Sequence, residues 1–191
     1  MSRPDVPGTI EPMPDVVGDF TLTMDELRAV ARFVTECAQD VLPVFEDAVP
    51  EDERPRVAID AAWQFINGAK RTRLQRVASL DAHRAAAEAG TEAARLAARS
   101  AGDAASAAYL HPIAQAGQVG HILRAAASAA RVAELNAGND PAAGERSIER
   151  ARSRAAPVVI DVLARYPPAR SSNDRVARLM VTLDTALRLA R

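Results

Sequence analysis

Across residues 81–110, 14 of 30 positions are alanine. That density restricts the fold more than any other feature of the chain. Alanine is the best helix former and a poor strand former. Its methyl group fills so little space that neighbouring backbones must approach closely to leave no void. Outside this run the larger apolar residues recur at helical spacing. Leu27, Val30, Ala31, Val34, Cys37, Ala38 and Val41 form one stripe, Ile59, Ala62, Trp63 and Ile66 a second. Val176, Leu179, Met180, Leu183 and Leu187 form a third. No run of Val, Ile, Thr or aromatics alternates with period two, and no fixed repeat of 30 to 45 residues recurs. These patterns predict an all-α fold: a single globular bundle of six to eight helices with an alanine-rich central helix pair.

Local punctuation sets the boundaries. Residues 1–22 hold four prolines (Pro4, Pro7, Pro12, Pro14) and no helical period, which reads as an extended or disordered N-terminal arm. Residues 23–191 read as one helical domain. Thr23 and Glu26 have capping-box spacing, and Pro43 interrupts the helix that follows. Residues 50–53 form an acidic connection, with Pro55 suited to a first helical turn. Asn67-Gly68 is a C-terminal stop. A long helix is expected from 71 to 101, broken at Gly102, with Asp103 capping the next piece. His111-Pro112 marks a further boundary before a helix over 112–135. Asp140 and Pro141 are placed to open another helix, and Pro157 to kink it. Residues 166–173 form a second loop.

Composition bears on function mostly by exclusion. The net charge of −1 offers no bulk attraction to nucleic acid or anionic lipid. Lys70 stands alone among 23 arginines, and an Arg- and Ala-rich chain fits a GC-rich bacterial source. Cys37 is the one cysteine, so neither an internal disulfide nor a multi-cysteine zinc site can form. No apolar signal segment opens the chain. The uncharged stretch 104–123 contains Pro112, two histidines and two glutamines, a poor surface for lipid. A cytoplasmic location follows, with no membrane and no nucleic-acid partner. There is no glycine-rich phosphate loop, GxSxG elbow or HExxH. The expectation is therefore of no cofactor, no metal and no common enzyme class.

Candidate sites remain. His83, His111 and His121 form no HxxxH pair, and structural roles are favoured for them. Were the chain an enzyme, His83, His121 and Asp60 would be the proton-transfer candidates, with Asp81 or Glu88 as possible carboxylate neighbours. Cys37 lies on an apolar stripe and reads as packing. Arg54, Arg56, Arg71 and Arg73 flank the two ends of the Trp63 helix, where guanidinium forks suit anion or partner contacts. Glu51, Asp52 and Glu53, with Glu46 and Asp47, supply an acidic patch fitted to a basic protein. The partner-binding candidates are thus Arg54, Arg56, Trp63, Glu51, Asp52 and Glu53, although Trp63 also reads as core. The arginine-rich segment 146–154, interrupted by Glu149, reads as a solvated face.

Residues 27–130 resemble the Imm-5 like putative immunity protein family. The matching features are Arg32-Phe33-Val34-Thr35-Glu36-Cys37-Ala38, Val41-Leu42-Pro43-Val44-Phe45-Glu46, Glu53-Arg54-Pro55-Arg56-Val57-Ala58-Ile59 and Ala62-Trp63. Asp81-Ala82-His83-Arg84 and the break at Tyr109-Leu110-His111 are similar too. Where family-like sequences would carry an aromatic and, three residues on, a lysine, this chain has His121 and Arg124. The resemblance implies an all-helical bacterial protein that neutralises a cognate toxin by direct binding, and it brings no catalytic residue. Two other readings stand beside it. One is a small-molecule-binding protein, or an unusual cofactor-free enzyme of bacterial specialised metabolism, with a pocket between the alanine-rich helices. The other is a homo-oligomer zipped by alanine faces.

Overall fold

The computed structural model describes residues 15–190. A two-residue antiparallel hairpin, β1 (Val16–Val17) and β2 (Thr21–Leu22), precedes α1 (Met24–Gln39) and α2 (Leu42–Ala48). Then come α3 (Arg54–Ile66), α4 (Arg73–Glu88) and α5 (Glu92–Ser106). A 3₁₀ turn, Ala107–Tyr109, leads to α6 (Ala116–Asn136), α7 (Pro141–Arg154), α8 (Pro157–Leu163) and α9 (Arg175–Leu189).

The described residues therefore hold nine α-helices where six to eight were expected. The additional helices arise at breaks inside segments read as continuous. Pro43 and Pro157 sit in the first turns of α2 and α8 and so open new helices. The segment expected to run from 71 to 101 is divided at Ala89 and Gly90. Ala89 turns extended, and the Thr91 hydroxyl accepts from the Ala94 amide to cap α5. Gly102 and Asp103, read as a break and a cap, lie inside α5 and are buried. The helix expected from 112 begins only at Ala116.

Other boundaries fall where local chemistry puts them. Thr23 and Glu26 form a reciprocal capping box on α1. Asp140 caps α7 ahead of Pro141. Beyond α3, Gly68 takes φ +102°, a conformation that glycine adopts without steric cost.

Residues 1–14 of the expected arm lie outside the described residues, and residues 15–22 are docked. Leu22 is fully buried and Phe20 meets Tyr166 edge-on at 5.0 Å. The Asp19 amide donates to the Pro112 carbonyl at 2.8 Å, and the Asp19 carboxylate accepts from the Ala114 amide. Gly18 allows this approach, because a Cβ there would strike the Pro112 carbonyl.

Helix α5 is the hub: α1, α2, α3, α4 and α6 all pack against it. Its alanines 94, 97, 98, 101, 104 and 105 are all buried, and α6 buries Ala125, Ala126, Ala127, Ala129 and Ala130. This is the alanine-rich central pair. An alanine methyl removes little apolar area from water, about 0.8 kcal/mol per buried carbon. The larger gains come from bigger side chains, through Leu27, Phe45, Ile59, Phe65, Leu183 and Leu187 on the surrounding helices and Ile122 and Leu123 at the start of α6. Each of these contributes roughly 1.5–3 kcal/mol relative to exposure. Close approach of backbones in the centre leaves no room for a larger side chain at positions such as Ala101 or Ala104.

Candidate functional site

Helix α4 carries two apolar stripes. Ala78, Ala82, Ala85 and Ala86 face inward against α3 and α5. Leu74, Val77 and Leu80 face outward and are 40–52% exposed, as is Val57 on the adjoining α3. Val57, Ala78 and Asp81 share a cleft with Glu51, Asp52, Glu53 and Arg54. Four of the seven exposed large hydrophobics among the described residues thus belong to one α3–α4 face with an acidic margin. The smaller side chains won the interior because only they permit α4 to approach α5 closely.

Of the expected partner-binding residues, Glu51, Asp52, Glu53 and Arg54 line this cleft, whereas Arg56 and Trp63 turn toward α2 and α1. Arg54 donates to Asp52 through Nε at 2.9 Å and also pairs with Glu88. These contacts hold both carboxyls below their ordinary range, with the Arg54 hydrogen bond as the main cause. Arg56 forms a two-pronged pair with Glu46 at 2.8 and 2.7 Å. Such forks fix the side chains' directions more than they stabilise the fold, since exposed pairs contribute little. Trp63 is half-buried; its Nε1 donates to Gln39 at 3.0 Å and Arg32 lies over its ring. Glu51 and Glu53 are exposed.

Beneath α4, the structure brings His83 and His121 together around residues the sequence did not single out as a pair. Asp103 is 0% exposed and accepts from both arms of the Arg124 guanidinium, Nε at 2.8 Å. The hydrogen bond to Asp103 raises the guanidinium's proton affinity further. His83 Nε2 lies 3.8 Å from Asp103 Oδ1. Its ring occupies the space left by the missing side chain of Gly102, where a Cβ would come within 2.8 Å.

Burial depresses the pKa of both histidines. For His83 the Asp103 charge offsets part of this, and for His121 the Arg124 charge adds to it. His121 Nδ1 is buried without a hydrogen-bond partner among the described residues. Both imidazoles are therefore neutral near pH 7. His111 is not on α6 with His121; it sits in the connection before that helix, its side chain exposed.

Asp60 is exposed on α3 and makes no ion pair with either histidine. Asp81 pairs with Arg84 and Glu88 with Arg54, so Asp103 is the carboxylate His83 meets. Among the described residues no three His, Cys, Asp or Glu side chains converge as a metal site requires. The Cys37 thiol is buried, and burial pushes its pKa up to about 11 despite the neighbouring Arg154. Three of the four arginines of α7 form ion pairs: Arg152 with Glu149, Arg154 with Asp40 and Arg146 with Asp140.

The Asp103–Arg124 pair spans 21 residues of sequence and joins α5 to α6. A buried carboxylate fully met by one guanidinium supports packing and orientation; it offers no free base. A second such pair, Glu134 with Arg175 and Arg131, joins α6 to α9. Burial raises the Glu134 pKa, but the two guanidiniums outweigh it and hold the group ionised.

No helix among the described residues is long and apolar enough to cross a membrane. The sequence model of the Imm-5 like putative immunity protein family matches residues 21–157, well over half of the chain. No curated protein and no solved structure matches it.

Proposed function

The chain belongs to the Imm-5 like putative immunity protein family, and from that premise we propose that it neutralises a toxin by binding it through the α3–α4 face. The observation that carries this reading is the outward stripe Leu74, Val77 and Leu80 with Val57, bordered by Glu51, Asp52, Glu53 and Asp81. Exposed apolar residues gathered on one face with a polar rim are the usual anatomy of an interaction site. The acidic rim selects a basic partner, steering encounter at low salt and setting register on contact. The preformed Arg54 contacts with Asp52 and Glu88 reduce the ordering cost of those rim side chains. Asp103, Arg124 and the two neutral histidines act here as internal struts between α4, α5 and α6, keeping the face flat and rigid.

The test is binding to the toxin domain encoded beside this gene, measured by calorimetry. Val77→Asp and Leu80→Asp change only outward side chains, so circular dichroism should be unchanged. Each is expected to weaken the complex by about 30-fold or more, the loss typical of a central interface residue. Unaltered affinity in both variants, or no complex with the wild-type chain, overturns the reading.

A further inference from the structure

At the N-terminal end of α4, where the chain enters the helix, lies a cleft of about 610 Å³ lined by Val16, Arg71, Thr72, Arg73, Arg76, Tyr109 and His111. Three guanidiniums and an imidazole meet there. We propose that this cleft binds a small phosphate-bearing anion, independently of the toxin-binding face.

The first argument is charge. Elsewhere most arginines meet a carboxylate, including Arg54, Arg56, Arg84, Arg124, Arg131, Arg154, Arg165, Arg175 and Arg188. Arg71, Arg73 and Arg76 form no ion pair with any described residue, although they stand within six positions of one another. Lys70, just before them, adds a further positive charge. Like charges crowded without a counter-ion repel one another, and a concave wall concentrates their field. An anion of two or more charges relieves that repulsion.

The second argument is preorganisation. Arg71 and Arg76 both lie over the ring of Tyr109, their guanidinium carbons 5.7 and 5.2 Å from its centroid. Arg71 also donates to the Ala108 carbonyl at 3.2 Å. The ring itself is anchored, because Tyr109 donates its hydroxyl proton to the Thr72 carbonyl at 2.7 Å. Two guanidiniums are thus held on an aromatic platform, with donors left over for a ligand. Planar forks of this kind match phosphate oxygens bidentately. Val16 is the one aliphatic residue in its lining, and the guanidiniums supply most of its charge.

The experiment is calorimetric titration of the full chain with inorganic pyrophosphate, and in parallel with ADP, in low-salt buffer. Expected is saturable one-to-one binding of pyrophosphate. Arg73→Ala and Arg76→Ala change exposed side chains, and each should weaken that binding about tenfold or more, the loss of one charge-assisted contact. Arg150→Ala, on α7, should leave it unchanged. Tighter binding of ADP identifies a nucleotide as the source of the phosphate; equal binding identifies the phosphate group alone. The proposal is overturned by no saturable binding up to about 10 mM pyrophosphate, a concentration at which even millimolar sites fill. Equal weakening in Arg150→Ala, or full affinity in both Arg73→Ala and Arg76→Ala, overturns it as well. Arg71 precedes α4 and lies over Tyr109, so an Arg71→Ala variant should weaken pyrophosphate binding and leave toxin binding intact, which separates this site from the α3–α4 face.

Discussion

Replacing Asp103 tests the internal strut most directly. Asp103→Ala removes the carboxylate that Arg124 grips with both arms and leaves the guanidinium in a wall of alanines. Breaking a buried pair by deleting one partner costs about 3–5 kcal/mol, because the surviving charge stays desolvated. The Arg124 side chain retains 32% exposure and can turn its head toward water, so about 2–3 kcal/mol is expected. For a chain of this size that lowers the thermal midpoint by about 5–10 °C. Asp103→Leu combined with Arg124→Met removes both charges and keeps the volume. The double variant should lie within about 1 kcal/mol of the parent, since apolar replacement of a buried pair is often neutral. Urea denaturation of the parent, Asp103→Leu, Arg124→Met and the double variant supplies the coupling energy. A single substitution costing under about 1 kcal/mol, or a double variant as unstable as the sum of the singles, refutes the reasoning.

Acidification should destabilise the protein through its histidines. His83 and His121 titrate below their ordinary value of 6.5 when folded. The unfolded chain therefore binds the extra protons first, and stability is greatest above pH 6.5 and falls as pH drops toward the folded values. The slope is at most about 1.4 kcal/mol per pH unit per proton, less for His83 because part of its ring is wet. Urea midpoints between pH 5 and 7.5 should flatten in a His83→Gln/His121→Gln variant; an unaltered slope would assign the effect elsewhere. Gly144→Ala would drive a methyl into the Glu134 carboxylate, which Arg175 and Arg131 hold in place. A loss of about 1–3 kcal/mol is expected by chemical denaturation, and a neutral result would show that α7 shifts freely. The Cys37 thiol, buried and with its pKa pushed up to about 11, should stay unreactive toward a thiol reagent at pH 8 and react fully in guanidinium. Rapid labelling of the native protein would contradict its placement.

Much of this molecule is written in local chemistry. The capping box at Thr23, the turn at Asn67-Gly68 and the Asp140-Pro141 start each depend on atoms within four residues of one another, so composition and spacing suffice to place them. The alanine density likewise dictates a close-packed helical centre, because no other arrangement fills the space around methyl groups. The sites were less legible. Gly102 and Asp103 carry the signature of a break and a cap, yet lie mid-helix. Their real partners, His83 and Arg124, stand 19 and 21 positions away and reach them only after α4, α5 and α6 have packed. Similarly, α4 offers two apolar stripes. Which one faces water was decided by neighbours that accept alanine at close range and leave Leu74, Val77 and Leu80 outside. Spacing along a chain settles what a helix can bury; the distance to the next helix settles what it does bury.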